Sequence, residues 1–168
     1  MKKIVYLSSY LLFALLTSCT KNNDFVKAEL EKALPTVEVT SMGLLRQVGP
    51  FTPADVIQVT FGGAITKATA GTMDFAWYDA PSSGAAKLID SVHFATWNEA
   101  ATAATGNNSV TTTLAPATYP NTNTFSGNMN LKLSKLTGGN KQYSLRIYVR
   151  TDKDDMATIS QTKFITVK

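Results

Sequence analysis

The sequence predicts an all-β fold, a two-sheet antiparallel sandwich of seven to eight strands over residues 36–168. Three observations predict it. From Thr36 onward, apolar and polar residues alternate with a period of two over short runs, the pattern of strands with one buried and one wet face. Segments rich in Gly, Pro, Asn and Asp separate these runs at regular intervals. The alternation also suits antiparallel sheets, because strands of parallel βαβ units are buried on both faces and read as continuous apolar runs.

Each strand has its own justification. Val37 and Val39 alternate with Glu38 and Thr40. In Val56–Phe61, Ile57, Val59 and Phe61 share a face, and Gly62-Gly63 is expected to break the run. Thr72–Tyr78 puts Met73, Phe75 and Trp77 on one face and Asp74, Ala76 and Tyr78 on the other. Pro81-Ser82-Ser83-Gly84 reads as a loop. Leu88–Trp97 reads as a strand with Val92 and Phe94 opposed to His93 and Trp97; a slip of one residue would bury Trp97 and expose Phe94. Ala100–Asn108 is small and polar, a loop, and Ser109–Leu114 is a Thr-rich strand. After a turn region at Pro116–Asn123, Met129, Leu131 and Leu133 alternate with Asn128, Asn130 and Lys132. Tyr143, Leu145, Ile147 and Val149 then alternate with Gln142, Ser144, Arg146, Tyr148 and Arg150. Asp152-Lys153-Asp154-Asp155 is a hairpin turn before the last strand, Ala157–Val167.

Residues 1–18 are excluded from fold reasoning. Lys2 and Lys3 precede an apolar run from Ile4 to Leu16, and Thr17-Ser18 are small residues ahead of Cys19. This is the architecture of a secretory signal, and the run is shorter than the ~20 apolar residues a spanning helix needs. Leu16-Thr17-Ser18-Cys19 resembles the lipobox of bacterial lipoproteins. The resemblance implies cleavage before Cys19 and acylation of its thiol, which accounts for a lone cysteine in a secreted chain. The membrane is then a partner through lipidated Cys19. Thr20 is not the aspartate of inner-membrane retention, and Lys21-Asn22-Asn23-Asp24 resembles the export signal of surface lipoproteins in the Bacteroidota; outer membrane is the implied location, with the leaflet open. Residues 19–35 form the lipidated cysteine and tether. Asn23-Asp24 can cap a short helix stopped by Pro35, and a flexible tether fits equally.

Two features sharpen the fold. Trp77 lies mid-strand among apolar neighbours, and Leu136-Thr137-Gly138-Gly139 precedes Tyr143 at the start of a strand. Both resemble the immunoglobulin-like group that includes fibronectin type III and PKD modules, in which a tyrosine at the E-to-F corner bonds back to that corner. The B-to-F cysteines of antibody domains are absent.

Composition and motifs narrow the function. Without residues 1–18, 150 residues remain, with 14 basic against 12 acidic. That balance, without a clustered basic stripe, argues against a nucleic-acid partner. His93 is the only histidine, which excludes a multi-His metal site, and there is no Gly-x-Ser-x-Gly elbow. Asp152, Asp154 and Asp155 lack EF-hand spacing and read as a solvated turn. No catalytic residues, metal or cofactor are expected. The candidate ligand face is the wet side of the sheet, carrying Asp74, Tyr78, His93, Trp97, Arg146, Tyr148 and Arg150. The bland alternative is cross-strand pairing, with Asp74 meeting Arg146. The functional expectation is a non-catalytic envelope lipoprotein binding a glycan or partner protein. The alternatives are a structural spacer or accessory subunit and, less favoured, a small hydrolase.

Overall fold

The computed structural model describes residues 24–168. The expected signal peptide over residues 1–18, Cys19 and residues 20–23 lie outside the described residues. A helix over residues 24–33 comes first; Pro35, which cannot continue it, follows. Eight strands then run β1 (Val37–Leu44), β2 (Val56–Thr66), β3 (Met73–Asp79), β4 (Leu88–Phe94), β5 (Ser109–Pro116), β6 (Thr122–Lys132), β7 (Lys141–Arg150) and β8 (Met156–Val167). They form two four-stranded antiparallel sheets, ordered β1-β2-β6-β5 and β4-β3-β7-β8. With the strands lettered in chain order, these are the A-B-E-D and C′-C-F-G sheets of an immunoglobulin-like sandwich. A parallel bridge from Phe51 to Val167 stitches one sheet to the other.

The inward faces are those the alternation predicts. Ile57, Val59 and Phe61 of β2, Met73, Phe75 and Trp77 of β3, Met129 and Leu131 of β6, and Tyr143, Leu145, Ile147 and Val149 of β7 are all buried. Phe61 meets Phe125 and Trp77 meets Phe164, with ring centroids 6.0 Å and 6.3 Å apart. The corner tyrosine is in place: the Tyr143 hydroxyl donates to the Thr137 carbonyl at 2.8 Å and accepts from the Thr137 amide at 3.0 Å.

Gly62-Gly63 does not end its strand, which runs on to Thr66. The glycines serve a bulge in β1, where the register skips Thr40 between Val39 and Ser41. A Cβ on Gly63 would overlap the Glu38 carbonyl, so the close approach of the two backbones requires glycine. A second irregularity lies in β8 opposite Ser144, where Lys163 takes φ 51° and its amide donates to the Ser144 hydroxyl at 3.2 Å. Phe164 and Ile165 are buried consecutively beyond it, which no strict alternation allows.

Candidate functional site

The outward face of the second sheet brings together six of the seven expected side chains. The register sets Asp74 between His93 of β4 and Tyr148 of β7. Asp74 Oδ1 lies 2.7 Å from His93 Nδ1, and Oδ2 lies 3.5 Å from Arg150 Nε. Four residues along β3, the Tyr78 hydroxyl is 3.3 Å from that of Tyr148. The two rings reach toward each other past Ala76 and its cross-strand partner Arg146, and Ala76 is buried although it points outward. Arg146 donates from Nη1 to the Tyr148 hydroxyl at 3.4 Å, and its guanidinium carbon is 5.0 Å from the Tyr78 ring centre, a cation–π contact.

The electrostatics follow from these contacts. The hydrogen bond to Tyr148, with burial second, holds the Tyr78 hydroxyl above the ordinary tyrosine range. Burial of Tyr148 works in the same direction, but the hydrogen bonds from Tyr78 and Arg146 and the Arg146 charge outweigh it, and this hydroxyl is lowered. Arg146 Nε is buried and has no hydrogen-bond partner among the described residues.

Trp97 is not on this face. Strand β4 stops at Phe94, and the chain bends before Trp97, whose side chain is buried, 5% exposed. Its indole N–H donates to the carbonyls of Arg150 at 3.0 Å and Thr72 at 3.2 Å, capping the end of the β3–β7 ladder. The expected register holds from Val92 to Phe94, with Phe94 buried and His93 exposed, and fails at Trp97, which lies beyond the end of the strand. The expected Asp74–Arg146 pair is absent for a related reason. The register puts Ala76, not Asp74, opposite Arg146, and Asp74 pairs with Arg150 instead.

Beside this cluster is a cleft of about 560 Å³ between the β2–β3 and β7–β8 turns, within the ~300–1,000 Å³ range of small-molecule sites. Arg150 borders both, and Thr72, Thr96, Thr112, Asn98 and Asp152 line the cleft. Of these, Thr72, Thr96, Asn98 and Asp152 lie outside the strands, in stretches that carry no periodicity; the convergence of turns at one end of such a sandwich is what points to them. Among the described residues, no three His, Cys, Asp or Glu side chains gather to hold a metal ion, and no helix is long and apolar enough to cross a membrane.

No protein-family model matches the chain, and no curated protein matches it. Among solved structures the chain is similar to astrotactin-2, a perforin-like membrane protein (TM-score 0.42, 11% identity, 76% of this chain and 22% of that one). It is also similar to the sporulation control protein Spo0M of Bacillus subtilis (0.41, 12%, 80% and 50%). A third is a DUF4466 family protein from Parabacteroides merdae (0.40, 10%, 80% and 46%). The chain thus spans half or less of the length of each of these three proteins.

Proposed function

We propose that this is a non-catalytic binding module of the cell envelope, held at the outer membrane by lipid on Cys19, whose Asp74–Arg150 face receives a glycan or a partner protein. The observation that carries the reading is the convergence of Asp74, His93, Arg150, Tyr78, Tyr148 and Arg146 from three strands onto one face. With Trp97 withdrawn into the core and the Tyr78 ring covered by Arg146, recognition falls to hydrogen bonds and charge rather than to stacking on an open ring. Two guanidinium groups at this face suit a ligand that presents carboxylates or hydroxyls.

The test is retention of the purified protein on immobilised envelope polysaccharide and on envelope protein fractions. Arg150→Ala and Tyr148→Phe should each weaken retention about tenfold, or ~1.4 kcal/mol, with the melting curve nearly unchanged. Exposed ion pairs such as Asp74–Arg150 contribute little to stability. Retention equal to that of the parent protein in both variants would sink the reading.

A spacer or accessory subunit is the second reading, and one observation favours it. Strand β4 is a sheet edge with Leu88 and Ile89 exposed at 50% and 37%. Asp90, beside them, is paired opposite the inward Trp77, and burial raises its carboxyl above the ordinary range despite the Ser91 amide and Lys135. An inward acid on an edge discourages open-ended pairing, which makes this edge a poorer docking strand than its apolar residues suggest.

A further inference from the structure

We propose that the helix over residues 24–33 lies along the lipid surface with its apolar side down, and so sets how the sandwich stands on the membrane. The inference rests on the Cys19 anchoring proposed above. The helix is fastened to the sandwich by a polar side chain: Glu31 Oε1 accepts from Asn121 Nδ2 at 2.7 Å and pairs with Lys67 Nζ at 3.2 Å. Its apolar side chains are left outward, with Phe25 67%, Val26 52% and Leu30 43% exposed. At about 100° per residue these three fall within an arc of about 140° that also takes in Ala33. Lys27 and Glu31 lie on the other side. Glu29 falls within the arc, and Lys32 neutralises it at 2.8 Å.

The chain itself names the occupant of this face. Asp24 is five residues beyond Cys19, so acyl chains there hold the first helical turn within about 17 Å of the lipid even with the link fully extended. An amphipathic helix kept at that distance gains by burying its apolar side in the headgroup boundary. The same end of the sandwich carries Tyr119, 52% exposed on the β5–β6 turn beside Asn121, a ring with a polar tip of the kind that settles at a lipid–water boundary. The β2–β3, β5–β6 and β7–β8 turns then face the bilayer, and the C-terminal Lys168 end points away.

The acylated protein in vesicles of phosphatidylethanolamine and phosphatidylglycerol tests this directly. Acylation consumes Cys19, so a single introduced cysteine carries an environment-sensitive fluorophore. Labels at Phe25→Cys and Leu30→Cys should emit to the blue and be quenched by a bilayer-embedded spin label. Labels at Lys27→Cys and Ala28→Cys should emit as in water. The same emission at all four positions, wet or buried, overturns the inference alone. A free Cys19 thiol in the mass of the mature chain overturns the anchoring reading and this inference with it.

Discussion

Trp97 and Tyr143 show how single residues close this sandwich at opposite ends. Tyr143 turns its hydroxyl onto both backbone groups of Thr137, fixing the turn that leads into β7. Trp97 does the corresponding work at the other end of the same strand, where Thr72 and Arg150 exchange backbone hydrogen bonds and the indole N–H adds a donor to both carbonyls. Truncating a buried tryptophan removes a large packed surface and leaves a cavity, a loss of about 3–5 kcal/mol. Trp97→Ala should therefore lower the denaturant midpoint steeply, while Arg150→Ala, whose side chain is 48% exposed, should barely move it. A Trp97→Ala chain as stable as the parent would return that ring to the ligand face. Its place was not legible because His93 and Trp97 share the parity of an extended strand, and nothing in the alternation marks the bend after Phe94.

At the scale of elements, alternation revealed which face of each strand is buried but not where the ladders are interrupted. The apolar sets of β2, β3, β6 and β7 were readable because one buried face imposes a period of two. The irregularities at Thr40, Ile89 and Lys163 were not, since an extra residue in one strand leaves the composition of the run unchanged. Gly62-Gly63 was visible as a signal but misread as a terminus, because a glycine pair marks a turn and a close backbone approach alike. The distinction is testable. Gly63→Ala would drive a methyl into the Glu38 carbonyl and the Phe125 ring, and should cost about 1–3 kcal/mol in equilibrium unfolding. Gly43→Ala in the neighbouring strand, where the nearest atom is Thr60 Oγ1 at 3.9 Å, should be nearly neutral. Equal effects at the two positions would mean that the bulge does not depend on Gly63.

For the molecule as a whole, the sheet arrangement decides what sits near the helix over residues 24–33. β1 begins against the end of β2, since Val37 pairs with Ile65, so the chain enters the sandwich beside the β5–β6 turn, where Thr66 pairs with Thr122. The helix is tied there through Glu31, whose carboxyl is held below the ordinary carboxylate range first by the Asn121 hydrogen bond and then by that from Lys67. A depressed folded-state pKa gives a contribution that is fully present above the ordinary value and is lost as pH falls through the depressed one. Acidification should therefore release the helix before the sandwich unfolds, because the core is held by apolar packing that does not titrate. Amide exchange at residues 24–33, corrected for its intrinsic pH dependence, should rise in that window while β3 and β7 stay protected. Asn121→Ala should bring the release about at neutral pH, and added salt should assist it by screening the exposed Lys67 pair. Protection of the helix that persists through the whole acid titration would show that Glu31 is not what holds it, and the proposed orientation of the sandwich over the membrane would then need another support.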